Sequence, residues 1–240
     1  MASPVFVIVH GTYGGGWEWR DVANRLRTKG AEVFTPTLTG LGERKHLFTV
    51  DTDLDTHIAD VTGVIETENL EGVILVGQSY GGVVVTGVAD RMPERLAQLV
   101  YIDGLVPLGG ESVADLVPPA AAPFIWDNVD EAANRLRLPF TPEVLAEAPE
   151  AERAYAARSS DHPLKSWTQP IVLNDAARSV PTTYIRCVSD DPISKLIEGS
   201  AARARERGWR YVEFQGPHDA HYFMPAELTE ALASVTMSGR

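Results

Sequence analysis

One cysteine in the whole chain, Cys187, leaves no intrachain disulfide to form. It stands in the apolar run Thr183-Tyr184-Ile185-Arg186-Cys187-Val188, where a buried strand thiol is the expected state. Basic residues are scarce: 21 Lys and Arg face 33 Asp and Glu, a formal charge of −12. So few cations cannot readily assemble a phosphate-neutralising patch, so neither nucleic acid nor an anionic membrane is the expected partner. No apolar run approaches the roughly 18 residues of a membrane-spanning helix. The opening Met1-Ala2-Ser3-Pro4-Val5 has no basic stretch leading into an apolar one, so a secretory signal is not expected and a cytoplasmic location is. No cluster of His, Asp or Glu has a metal-ligand spacing, and no metal is expected.

What is present is an alternation of strand-like and helix-like segments over 240 residues, enough for one full-sized domain. Short β-branched or continuous apolar runs cover Val5 to Val9, Glu32 to Thr35, Gly72 to Val76, Leu96 to Ile102, Thr182 to Val188 and Arg210 to Phe214. Segments of helical spacing lie between and after them: Asp21 to Lys29, Asp55 to Asn69, Gly82 to Met92, Ile193 to Arg207 and Ala226 to Val235. Such alternation predicts an α/β protein with a doubly wound, mostly parallel six-stranded sheet. The rhythm breaks between about Leu105 and Arg178, which is rich in Ala, Pro and Glu and shows no clear strand run. The expected division is a core of residues 1–104 and 179–240 with a helical cap inserted over 105–178.

Gly77-Gln78-Ser79-Tyr80-Gly81 matches G-x-S-x-G, and it falls between a strand run and a helical run. A strand-to-helix turn that tight strains its central residue, and flanking glycines remove side-chain clashes. Ser79 is thereby presented at the carboxyl end of the sheet as a candidate nucleophile. His10-Gly11-Thr12, running into Gly14-Gly15-Gly16, allows close backbone approach to a bound carbonyl. With a nucleophile at Ser79, the oxyanion donors are the N–H groups of Thr12 and Tyr80. The glycines fit neither G-x-G-x-x-G nor a Walker sequence, which disfavours a phosphate loop. A triad in the order Ser, acid, His takes its base from Gly216-Pro217-His218-Asp219-Ala220-His221, and order alone does not choose between His218 and His221. The acid is expected after the strand ending at Val188, at Asp190 or Asp191; Asp103, ending the strand Leu99-Val100-Tyr101-Ile102, is the rival. His46 and His57 are isolated and read as structural. His162 falls in the cap segment.

His10-Gly11, Gly15-Gly16-Trp17, Leu38-Thr39-Gly40-Leu41-Gly42-Glu43-Arg44, Gly77 to Gly82 and His218-Asp219-Ala220 resemble the small α/β-hydrolases around the plant methylesterases and hydroxynitrile lyases. They resemble that group's bacterial carboxylesterase relatives more closely still. The resemblance implies a six-stranded parallel sheet, a helical cap and no metal or organic cofactor. Counted from Tyr184, it places the acid at Asp190. Its interval from the catalytic His to a helix-opening proline, seven residues to Pro225, selects His218 over His221. Gln78 departs from the family, which often has His there.

The lyase branch resembles a pattern with Thr after the first-strand His and Lys after the catalytic His. Gly11 and Asp219 occupy those positions, so hydrolysis is favoured. The expected activity is a serine esterase acting on a carboxylic ester or lactone of a small to medium, partly hydrophobic molecule. Trp17, Trp126, Trp167 and His221, with Phe124 and Ile125, are expected near the substrate. A receptor-like, low-turnover member of the fold and a tailoring lactonase or cyclase are the alternatives. The oligomeric state, a homodimer included, stays open.

Overall fold

The computed structural model describes residues 3–118, 122, 126, 129, 136–138, 140, 149–190 and 192–236. In chain order its first half contains β1 (Val5–Val9), α1 (Arg20–Thr28), β2 (Glu32–Phe34), α2 (Leu54–Thr67), β3 (Val73–Gln78), α3 (Gly81–Arg91) and β4 (Leu96–Ile102). Between β4 and the next long strand come α4 (Val113–Leu116), β5 (Arg137–Leu138), α5 (Glu150–Ala156), β6 (His162–Pro163) and α6 (Leu164–Thr168). The chain closes with β7 (Thr182–Val188), α7 (Pro192–Leu196), α8 (Glu198–Glu206), β8 (Arg210–Gln215), α9 (Ala220–Phe223) and α10 (Pro225–Thr236).

The main sheet has six strands in the order β2-β1-β3-β4-β7-β8, and every pairing in it is parallel. Strands buried on both faces need apolar residues at every position, which is why VFVIV and VILVGQ read as continuous runs. Their side chains alternate between two cores. Val7, Val9, Val73, Leu75, Leu99 and Tyr101 pack under α2 and α3; Phe6, Ile8, Ile74, Val76, Val100 and Ile102 pack against α1 and α10.

Three local departures from the sequence reading have physical causes. Helix α2 starts at Leu54 because Asp53 caps it: Thr56 N–H donates to Asp53 Oδ1 at 3.0 Å, and Thr56 Oγ1 in turn accepts from the Asp53 N–H. The single helix expected over Ile193 to Arg207 is two, α7 and α8. The Ser194 carbonyl, which would serve the continuous helix, is engaged by Arg186 Nη2 at 2.6 Å. The segment between β4 and β7 holds a two-residue antiparallel ladder, Arg137 with Pro163 and Leu138 with His162. A strand that short leaves no period for a sequence pattern to show.

Candidate active site

The carboxyl ends of β3 and β4, adjacent in the sheet, carry the two most informative backbone positions. Ser79 follows β3 with φ 53°, and Asp103 follows β4 with φ 45°, both left-handed. A non-glycine residue held there costs roughly 1 kcal/mol or more and persists only where its surroundings impose it. Around Ser79 they do. A Cβ on Gly77 would come within 2.6 Å of the Gly81 carbonyl, and one on Gly81 within 2.5 Å of the Val9 carbonyl, so both flanking positions admit only glycine. The Ser79 carbonyl accepts from Gly82 N–H and Leu105 N–H, each at 2.9 Å, which fastens the elbow to the chain leaving Asp103. Ser79 itself is only half-buried.

The Gly11 loop lies against this elbow: a Cβ on Gly11 would be 3.1 Å from Ser79 Cβ and 2.4 Å from Gln78 Oε1. His10 holds the loop's shape. Its Nδ1–H donates to the Gly11 carbonyl at 2.8 Å, and its Nε2 accepts from Leu38 N–H at 3.1 Å. Pinning that carbonyl orients the Gly11–Thr12 peptide and therefore the Thr12 N–H. Burial pushes the His10 pKa down, in keeping with the neutral tautomer these bonds require. Further along, Gly16 N–H donates to Thr37 Oγ1 at 2.8 Å, and a Cβ there would strike the Thr35 carbonyl.

His218 is buried, and its Nδ1–H donates to Asp103 Oδ2 at 2.8 Å. The aspartate that His218 meets is thus Asp103, the rival, and not the expected Asp190. Asp190 lies exposed beyond the end of β7, and Asp191 lies outside the described residues. The sheet order gives the reason. His218 follows β8, two strands beyond β4, and to approach Ser79 on β3 it must cross the ends of β7 and β4, where Asp103 stands. Asp103 is fully buried, and its other oxygen accepts from Arg186 Nη1 and from Cys187 N–H at 3.2 Å. Gln78, the departure from the family pattern, donates from Nε2 to the His218 carbonyl at 3.3 Å and so ties the elbow to the histidine loop.

The remaining expected residues divide. Trp167 is buried and packs edge-on to Trp126 at 5.9 Å, and Trp126 donates its ring N–H to the Val117 carbonyl. Trp17 is half-buried between Tyr155 and Tyr222, with the Arg158 guanidinium 3.8 Å over its ring. His221 is buried and stacked on Trp19 at 4.5 Å, an interior contact. Phe124 and Ile125 lie outside the described residues. The sequence reading passed over Arg186, although a charge within an apolar strand run signals a buried partner. It also passed over Glu18. Among the described residues no group of three or more His, Cys, Asp or Glu side chains is placed to hold a metal ion. Nor is any helix among them long and apolar enough to cross a membrane.

Glu18 is a buried carboxyl beside the Gly14 loop. Its carboxylate is buried against Gly14, with His221 Nε2 at 3.6 Å. Burial raises the Glu18 pKa to about 7, partly offset by His10, Tyr155, the Gly15 backbone and Arg158. A raised acid favours the fold while it stays protonated. That contribution is complete below pH 4.5 and is lost as pH rises through about 7. Burial lowers His221 to about 4, so its contribution runs the other way, present above 6.5 and lost as pH falls. Glu18→Gln removes only the first. Between pH 5 and pH 8 its stability relative to the unmodified protein is expected to improve by about 2 to 3 kcal/mol. Urea unfolding at the two pH values measures this, and a difference independent of pH would contradict the buried-carboxyl account.

Comparison with known proteins bears on this geometry. A model described as "Alpha/beta hydrolase family" matches residues 6–231. A carbendazim hydrolyzing esterase of Nocardioides sp. is 38% identical over 244 residues, covering 96% of this chain and 98% of that protein. A pyrethroid hydrolase of Sphingobium wenxiniae is 26% identical, covering 97% and 88%. Among solved structures, an extracellular alpha/beta-hydrolase from a Paenibacillus species superposes with a TM-score of 0.81 at 22% identity, covering 96% of this chain and 98% of that one. It is described as sharing structural and functional homology with Tobacco Salicylic Acid Binding Protein 2.

Proposed function

The chain belongs to the alpha/beta hydrolase family, and from that premise we propose that it hydrolyses carboxylic esters through an acyl-enzyme on Ser79. One observation carries the reading: His218 is hydrogen-bonded to the buried Asp103, at the end of the strand beside the one that presents Ser79 in left-handed backbone. The bond from His218 Nδ1–H to Asp103 leaves Nε2 as the proton acceptor. His218 Nε2 takes the Ser79 proton as Oγ attacks the ester carbonyl, and the N–H groups of Thr12 and Tyr80 hold the oxyanion. His218 then gives its proton to the leaving alkoxide. Water attacks the acyl-enzyme by the same route, returning the acid product and free Ser79. Asp103 stabilises the imidazolium formed in each half and does not itself take the proton.

The segment between β4 and β7 is read as the cap, supplying Trp126 and Trp167 to an apolar pocket for a small to medium ester. The names of the two bacterial relatives, one acting on carbendazim and one on pyrethroids, support an ester with sizeable apolar parts. A fluorophosphonate probe tests the reading. It is expected to modify Ser79 stoichiometrically, located by peptide mass spectrometry, and to abolish hydrolysis of p-nitrophenyl esters. Modification elsewhere, or full turnover after modification of Ser79, would overturn it.

A further inference from the structure

Strand β7 carries one charged residue, Arg186, inside the run TTYIRCV. A charge enclosed in a sheet persists only where it is matched and hydrogen-bonded. The Arg186 side chain is 10% exposed, and the Asp103 side chain facing it is fully buried. Nη1 donates to Asp103 Oδ1 and, at 3.0 Å, to the Cys187 carbonyl. Nη2 donates to the Ser194 carbonyl on α7 at 2.6 Å and stands 3.5 Å from Glu198 Oε2 on α8. Burial opposes the Arg186 charge, but Asp103, Tyr184 and Glu198 more than offset it, and its pKa lies above the usual arginine value. The guanidinium is therefore a fixed positive charge on one oxygen of Asp103.

The other oxygen, Oδ2, accepts from His218 Nδ1–H at 2.8 Å. One carboxylate thus serves two partners: Arg186, always charged, and His218, charged only while Nε2 holds a proton. Asp103 favours the imidazolium, whereas a guanidinium across the same carboxylate disfavours it, because like charges repel strongly where water is excluded. Other ionisable groups share the neighbourhood. Asp219 and His221 lie on the same turn as His218, and burial lowers His221 to about 4, which leaves it neutral near pH 7. Glu18 Oε2 is 3.6 Å from His221 Nε2. On β7, Tyr184 donates its hydroxyl to the Gly104 carbonyl at 3.0 Å, and burial raises its pKa well above the usual range. Glu198 on α8, 61% exposed, faces Arg186 on one side and Arg205 on the other. Arg186 is the fixed cation that touches the carboxylate His218 uses.

We propose that Arg186 is a positioning residue whose charge, acting through Asp103, sets the pH range over which His218 serves as the base. The sign follows from the geometry. A cation on the far oxygen makes the imidazolium less favourable, so His218 gives up its proton at a lower pH than it would beside Asp103 alone. Neutral His218 is the form that takes the Ser79 proton, and ester hydrolysis therefore extends into more acidic solution. The same charge makes the imidazolium a stronger acid towards the leaving alkoxide. This rests on the Ser79 esterase reading with Asp103 as the acid, and adds to it the residue that tunes the base.

The test follows the protonation midpoint of His218 by nitrogen-15 NMR of the imidazole rings in Ser79→Ala protein, where no turnover intervenes. The His218 signal is the one that disappears when His218→Gln is added. Arg186→Gln, which removes the charge, is expected to raise the midpoint by about 1 to 2 pH units. Arg186→Lys, which keeps the charge without the fork, is expected to stay within about 0.5 unit of the unmodified value. Glu198→Gln leaves Arg186 less compensated and is expected to lower the midpoint by about 0.2 to 0.5 unit. With Ser79 in place, the acidic limb of kcat/KM on p-nitrophenyl acetate is expected to move in the same directions. A lower plateau in Arg186→Gln with an unmoved midpoint would overturn the proposal and leave Arg186 a structural anchor. Should neither Arg186 variant fold, the exposed Glu198→Gln decides by sign, and a midpoint unchanged or raised there would overturn it. The expected midpoints in a protein that cleaves no p-nitrophenyl ester would count against the Ser79 reading and not against the coupling of Arg186 to His218.

Discussion

Asp103→Asn is expected to lower kcat by about 10⁴, the scale on which triads respond when the acid becomes an amide. Asp190→Asn is expected to leave it within about twofold. The asymmetry follows from the hydrogen bonds. Asp103 Oδ2 accepts the His218 Nδ1 proton, which fixes the tautomer with Nε2 free for Ser79. An amide presenting N–H there would turn the ring to the wrong tautomer. Oδ1 is already engaged by Arg186 and by Cys187 N–H, so the carboxylate cannot swing to compensate. Arg186 is itself fixed, donating to the Cys187 carbonyl at 3.0 Å and the Ser194 carbonyl at 2.6 Å. Asp190 is exposed beyond the end of β7. Steady-state kinetics of both variants on one p-nitrophenyl ester decide the matter. Loss of activity in Asp190→Asn with Asp103→Asn active would return the acid to the end of β7.

Ser79→Ala has the larger expected effect, a loss of about 10⁶ in kcat, since removing a nucleophile disables the triad as a unit. The fold is expected to survive. Alanine is smaller than serine, and the left-handed backbone at φ 53° strains either residue alike. Circular dichroism and the thermal midpoint should therefore match those of the unmodified protein within a few degrees, while phosphonate labelling disappears. A folded Ser79→Ala protein with near-normal turnover would end the acyl-enzyme reading.

The elements that were legible in the sequence are those specified by neighbours along the chain. Strand β3, the turn Gly77 to Gly81 and helix α3 are contiguous, and the strain at Ser79 arises within this short segment, so the motif alone singles out the proposed nucleophile. The six strands are likewise local, because burial on both faces writes an apolar residue at nearly every position of the central ones. The proposed base, His218, was singled out by the spacing to Pro225 that the family resemblance implies, again a short interval. The proposed acid was not. Asp103 and Asp190 both follow strands at the same edge of the sheet, and local pattern treats them alike. What separates them is that β4 adjoins β3 whereas β7 stands one strand farther out, and that Arg186 buttresses the nearer carboxylate from a position 83 residues along the chain. Sequence determined which residues could do chemistry; only the packing of distant segments decided which of them meet, because a hydrogen bond is specified by position in space and not by separation along the chain.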